Sequence, residues 1–254
     1  PILLIHDTLP GASGYEWSKI EDELAIDHTV YTVDLLGCGR SDKSSITYTN
    51  FVYVQMISDF IKKIIGQKTD VIASGFSGSF VTMACHNEKE LFNKIMLVNP
   101  PSLTQLKQMP NRKDRLLKAA LEIPIFGTLV YHMIVSRDNI NNLFIEKMYY
   151  NPFHVDNQMA DAYYEAAHKG GYYTRFLYSS LAAKYININI CHALKALDNS
   201  IYIVEGETEP NGKAVTDDYC ASNPAIEVSV LKETKHLPHV EAPEAFLEQV
   251  KIFF

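Results

Sequence analysis

A serine stands in a run that could make it a nucleophile. The segment Asp70-Val-Ile-Ala-Ser-Gly75-Phe76-Ser77-Gly78-Ser79-Phe80 is a short apolar stretch, then small-x-Ser-x-small, then a helix-like stretch. In a strand-turn-helix elbow the flanking residues must be small because the two backbones approach closely. A serine at the apex projects its hydroxyl from the sheet edge, with helix N–H groups behind it to meet negative charge. A serine hydroxyl is a poor nucleophile near neutral pH and needs a base within hydrogen-bond reach. His236 is the candidate base, because imidazole titrates near working pH. Glu209, three residues past Gly206 at the end of a strand-like run, is the candidate carboxylate to hold the other ring nitrogen. Glu205 and Glu207 are rivals for that role.

These side chains must be positioned by a scaffold, and the chain spells one out. Strand-like runs rich in Ile, Val, Leu and Tyr lie near 2–5, 29–35, 70–75, 94–99, 201–206 and 227–232. They are nearly continuous in apolar character, as expected of strands covered on both faces of a mostly parallel sheet. Helical patterns near 15–25, 47–66, 78–89, 213–222 and 243–254 alternate with them, which predicts a doubly wound α/β sheet. The rhythm breaks over 100–195, where apolar residues recur at three- and four-residue spacing and no strand is convincing. That region reads as a helical cap inserted into a core of 1–99 and 196–254.

Together the segments resemble the α/β-hydrolase fold family with a cap. His6-Asp7-Thr8-Leu9-Pro10-Gly11 is similar to the family's His-Gly-x-Pro-Gly loop, and Asp34-Leu-Leu-Gly-Cys-Gly-Arg-Ser-Asp-Lys43 to its Asp-x-x-Gly-x-Gly-x-Ser loop. Val204-Glu-Gly206-Glu-Thr-Glu209-Pro210 resembles the turn bearing the triad acid. His236-Leu-Pro-His239-Val-Glu241-Ala-Pro243 resembles the terminal histidine segment. The order Ser, acid, His suits this fold. The resemblance implies a serine hydrolase acting on an ester or related acyl bond of a small, partly apolar substrate. Ser77 would attack, His236 would take its proton, and Glu209 would orient the histidine. The backbone N–H groups of Thr8 and Gly78 would hold the oxyanion.

Two departures from the family pattern stand out. Asp7 takes a place where relatives carry Gly, and Glu209 a place where most carry Asp. A carboxylate beside a hole built for negative charge opposes the transition state if it points inward. These departures keep open a ligand-binding protein with a vestigial site. Carbon–carbon bond hydrolysis or lyase chemistry also remains open, because it uses the same triad. An Asp at the nucleophile position would suggest a dehalogenase or epoxide hydrolase; Ser77 argues against both. Asn99 sits where an alternative acid could follow the strand at 94–99. His6 and His239 read as structural, and Asp34, Arg40, Ser41 and Asp42 as a loop-bracing network.

Composition narrows the partners. The 254 residues are 47% hydrophobic and 21% charged with a net charge of −7, which disfavours nucleic acid and anionic surfaces. No apolar run approaches the roughly 18 residues of a membrane span. Cys38, Cys85, Cys191 and Cys220 are scattered with no CxxC spacing, as expected of thiols in a reducing compartment and a cytoplasmic location. The remaining histidines show no metal-ligand spacing, so neither a metal nor a cofactor is expected. Pro1 opens directly onto a strand, so a preceding segment is expected in the natural chain.

Overall fold

A computed structural model describes all residues, Pro1–Phe254. Six strands form one parallel sheet: β1 (Ile2–Ile5), β2 (Val30–Val33), β3 (Thr69–Ser74), β4 (Phe92–Val98), β5 (Ile201–Gly206) and β6 (Glu227–Leu231). Their spatial order is β2-β1-β3-β4-β5-β6, so the direction of winding reverses at β1. Ile5 pairs with Val33 on one side and Ala73 on the other, which places the C-terminal ends of β1, β2 and β3 at one edge.

The period-two alternation of a strand divides these residues between two cores. Leu3, Ile5, Val71, Ala73, Ile95, Leu97, Ile201 and Ile203 face one way, where Tyr53, Ile57, Phe80, Val81 and Tyr219 cover them. Those partners come from α2 (Asn50–Phe60), α3 (Ser77–Asn87) and α11 (Gly212–Ser222). Ile2, Leu4, Ile72, Met96, Val98, Tyr202 and Val204 face the other way. There α1 (Glu21–Asp27) and α13 (Pro243–Phe253) supply Leu24, Phe246 and Val250. Each fully buried aliphatic side chain contributes roughly 1.5–3 kcal/mol, which is why both faces read as apolar in the sequence.

Between β4 and β5 the chain is entirely without strands. It forms α4 (Leu103–Leu106), α5 (Arg112–Glu122), α6 (Pro124–Ile134), α7 (Arg137–Leu143), α8 (Asn157–His168), α9 (Arg175–Ala182) and α10 (Cys191–Ala196). Asn111 begins α5 with a capping box: its side chain accepts the Asp114 N–H, and Asp114 accepts the Asn111 N–H. A third apolar cluster joins Tyr131, Phe144, Met148 and Tyr163 to Ala12, Leu237 and Val240, so these helices pack on the loops after β1 and β6. The short α12 (Pro238–Glu241) follows that last loop.

Local differences from the sequence reading are small, and one matters. The helix expected over 47–66 begins at Asn50 and widens into a π turn at Ile61–Ile65, closed by Gly66 with φ +73°. The strand expected over 70–75 ends at Ser74. The turn after it therefore falls on Gly75, two residues before Ser77.

Candidate active site

β3 enters the elbow at Ser74, and α3 leaves it at Ser77. Gly75 carries the turn with φ +52°, and its N–H donates to Val98 O (2.9 Å) on β4. This left-handed conformation is costly for residues other than glycine. The apex is thus Gly75 and not Ser77. Two registers of the small-x-apex-x-small pattern overlap here, one centred on Ser77 between Gly75 and Ser79, the other on Gly75 between Ala73 and Ser77. The exact end of β3 decides between them.

Ser77 lies two residues beyond the apex, at the start of α3, and is fully buried. Its Oγ donates to His6 O (2.6 Å) and accepts from Thr8 Oγ1 (3.0 Å). A hydroxyl has one proton, and the His6 carbonyl takes it. No hydrogen bond joins Ser77 to His236, so the expected nucleophile–base pair is not assembled. Ser77 instead ties α3 to the loop after β1.

Asp7 occupies the space the apex leaves open. A Cβ added at Gly75 would lie 2.2 Å from Asp7 Cγ and 2.3–2.5 Å from its carboxylate oxygens. Asp7 Oδ1 accepts from Thr8 N (2.6 Å) and Phe76 N (2.8 Å). Thr8 was the expected oxyanion donor from this loop; its N–H does face the site, where Asp7 engages it. Gly78, the second expected donor, spends its N–H on Gly75 O (3.2 Å) inside the turn. Phe76, the residue after Gly75, directs its N–H at Asp7 Oδ1 as Thr8 does.

His236 is flanked by two carboxylates. Its Nδ1 donates to Glu209 Oε1 (3.3 Å) and its Nε2 to Asp7 Oδ2 (3.2 Å). Burial pushes the imidazole pKa down, but the hydrogen bonds and charges of Asp7 and Glu209 outweigh it and hold the group at about 10. His236 is therefore an imidazolium at neutral pH. Of the three acidic candidates after β5, only Glu209 stands against it. Glu205 accepts from Thr216 Oγ1 (2.8 Å), and Glu207 accepts from Glu233 N (2.9 Å).

The residues that brace this arrangement were not singled out for it by the sequence reading. Asn99, at the end of β4 with φ +43°, donates through Nδ2 to Lys235 O (2.8 Å) and His236 O (2.9 Å). Its Oδ1 accepts Gly206 N–H (2.9 Å), so one side chain clamps the histidine loop to the acid turn. Met148 O accepts the His236 N–H (3.1 Å), adding a hold from the helices between β4 and β5. Glu241 accepts from Lys235 N and Tyr150 N, both at 2.7 Å.

Behind Asp7 sits Glu16, fully buried, which accepts the Asp7 N–H (3.3 Å) and the Tyr163 hydroxyl (3.4 Å). Burial raises its carboxyl, but His239, with Nε2 at 3.3 Å, brings it below its ordinary value. His239 in turn stacks on Trp17 with ring centroids 4.3 Å apart. His6 Nδ1 lies 2.6 Å from Asp7 O, and its Nε2 accepts Leu35 N–H (3.0 Å), which fixes the Nδ1–H tautomer. His6 thus ties the loop after β1 to Leu35, while His239 packs between Trp17 and Glu16.

A cavity of about 260 Å³ opens onto the site. Asp7, Gly75, Phe76, His236, Glu209 and Glu205 contribute to its wall, and no lysine or arginine does. No group of His, Cys, Asp and Glu has the arrangement of a metal site.

Known proteins share this scaffold. The sequence model described as "Alpha/beta hydrolase family" matches residues 2–249. A curated relative, 2-hydroxy-6-oxo-6-(2'-aminophenyl)hexa-2,4-dienoic acid hydrolase of Metapseudomonas resinovorans, is 29% identical over 105 residues. That match covers 41% of this chain and 36% of the relative, so the chain spans about a third of its length. Among solved structures, a serine hydrolase involved in carbazole degradation superposes with TM-score 0.79 at 18% identity, covering 100% of this chain and 90% of that one. The epoxide hydrolase CorEH superposes with TM-score 0.78 at 15% identity, covering 100% and 90%. At these identities the likeness is one of fold.

Proposed function

The chain belongs to the alpha/beta hydrolase family, and on that premise we propose a hydrolase whose nucleophile is the Asp7 carboxylate. One observation carries the reading. Asp7 fills the volume above Gly75, with Oδ1 held by two backbone N–H groups and Oδ2 beside His236. A carboxylate so held can form and lose an ester. The substrate is a small, uncharged molecule with an electrophilic carbon bonded to oxygen, of the epoxide class. The carboxylates of the cavity wall disfavour anions, and the protonated His236 favours a leaving group that needs a proton.

Asp7 Oδ2 attacks the carbon, the carbon–oxygen bond breaks, and the leaving alkoxide takes the His236 proton. His236 is then neutral, and Asp7 is an ester without charge. Water adds to Asp7 Cγ while His236 accepts its proton. The new oxyanion on Oδ1 stays between the N–H groups of Thr8 and Phe76. Collapse expels the product alkoxide with Oδ2. That alkoxide takes the imidazolium proton, and the acid proton of Asp7 returns to His236. One water is consumed, and the resting ion pair is restored.

Single-turnover reaction with a small epoxide panel in ¹⁸O-labelled water tests this. The label is expected in the Asp7 carboxylate and absent from the first product, with activity lost in Asp7→Asn and kept in Ser77→Ala. Cleavage of p-nitrophenyl esters that vanishes in Ser77→Ala would instead restore the serine esterase. A ligand-binding role is favoured by the same ion pair, which engages both N–H donors. Absence of turnover with either substrate class would favour that role.

A further inference from the structure

α6 exposes several large apolar side chains, and α5 adds Leu116 and Leu117. Leu116 is 72% exposed, Ile125 78%, Leu129 62% and Met133 69%. On α6, Ile125, Leu129 and Met133 follow at four-residue spacing and so form one stripe along the helix. Phe126 lies beside it, also exposed.

This surface is rigidly built. α5 and α6 meet at 95°. A Cβ on Gly127 would lie 1.7 Å from Leu121 O, so only glycine allows so close a crossing. Buried Arg175 donates to Glu122 O (3.2 Å) at the end of α5 and to Thr128 Oγ1 (3.4 Å) on α6. A side chain with five donors therefore fixes the corner from inside, while the apolar side chains point out.

The surroundings of the stripe state its partner. Arg112 and Lys113 precede Leu116 by four and three residues, which puts both cations on the same exposed face of α5 as that leucine. Arg115 is also exposed. Within Arg112–Glu122, four basic residues stand against Asp114 and Glu122, although the whole chain carries −7. No single helix is long and apolar enough to cross a membrane, and the two helices are bent by 95° at their junction. An apolar stripe on α6, joined to an α5 whose exposed leucine is flanked by cations, has the two features of a helix pair that lies in an anionic bilayer surface.

We propose that the α5–α6 corner docks on anionic lipid bilayers, Ile125, Leu129 and Met133 entering the interface and Arg112, Lys113 and Arg115 meeting the headgroups. The inference is independent of the chemistry assigned to Asp7.

Vesicle co-flotation tests it, using phosphatidylcholine vesicles with and without about a third phosphatidylglycerol. Wild-type protein is expected to float with the anionic vesicles at least ten-fold more than with the neutral ones, and to be released by 0.5 M salt. The exposed double variant Ile125→Ser/Leu129→Ser is expected to lose flotation at least ten-fold. Phe51→Ser, an exposed apolar change on α2, is expected to keep it. No flotation of the wild type, or equal flotation of the double variant, overturns the proposal. So does a solution dimer that dissociates in the double variant while vesicle binding is absent, which would assign the corner to a second copy of this chain.

Discussion

The Asp7 carboxylate and the missing side chain of Gly75 occupy the same volume. The oxygens of Asp7 lie 2.3–2.5 Å from where a Cβ at Gly75 would be, and one of them meets His236 at 3.2 Å. The two residues are a matched exchange. The side chain that the elbow lacks is supplied from the loop after β1, and it reaches the same histidine.

That exchange predicts the outcome of reversing it. Gly75→Ser alone drives a side chain into Asp7 at a φ that disfavours it, and is expected to cost roughly 1–3 kcal/mol in chemical denaturation. Asp7→Gly combined with Gly75→Ser removes the clash. The double variant is expected to regain part of that stability and to hydrolyse p-nitrophenyl acetate in a His236-dependent manner. Equal stability of the single and double variants would show that the two side chains do not compete.

Ser77→Ala separates the structural role of Ser77 from a chemical one. The change removes one hydrogen bond to His6 O and one from Thr8, and leaves that carbonyl without the serine donor. Stability is expected to fall by about 1–2 kcal/mol, with the rate of the Asp7-dependent reaction kept within a few-fold.

The His236 ion pair predicts a pH dependence of stability. The folded-state pKa of about 10 lies above the ordinary value of 6.5. The unfolded state therefore releases this proton first as pH rises. The stabilisation is full below about pH 6.5 and is lost as pH climbs through about 10. Urea midpoints measured from pH 6 to 10 are expected to fall across that window. His236→Gln is expected to flatten the fall, and Asp7→Asn to move it to lower pH.

Glu16 is the buried charge on which the position of Asp7 depends. Glu16→Gln keeps the volume but removes the charge facing His239, and leaves an amide among donors. Leaving buried donors without their acceptor costs roughly 1–3 kcal/mol. A loss of that size in guanidinium unfolding is expected, together with reduced turnover. A loss below about 1 kcal/mol would show that the pair contributes little.

The scaffold was legible in the sequence because burial on two faces demands uninterrupted apolar strands. All six runs stand where their Ile, Val and Leu content put them, and the stretch between β4 and β5 forms helices alone. His236 and Glu209 were legible for a related reason. Each follows a strand end within a short turn, so its place at the sheet edge follows from local chain geometry. The partner of His236 was not legible. Two small-x-apex-x-small registers offset by two residues put either Gly75 or Ser77 at the turn, and only the end of β3 at Ser74 selects Gly75.

What the sequence by itself determined, then, is the parallel sheet, the helices that cover it, and the loops that carry Asp7, Glu209 and His236. Hydrophobic periodicity and turn residues specify these within short windows. Tertiary structure alone decided which side chain faces which. Asp7 and His236 are 229 residues apart, and their contact depends on sheet order, on the Asn99 clamp, and on an absent side chain at Gly75. An empty volume carries no signature in a linear sequence. Only packing shows what fills it.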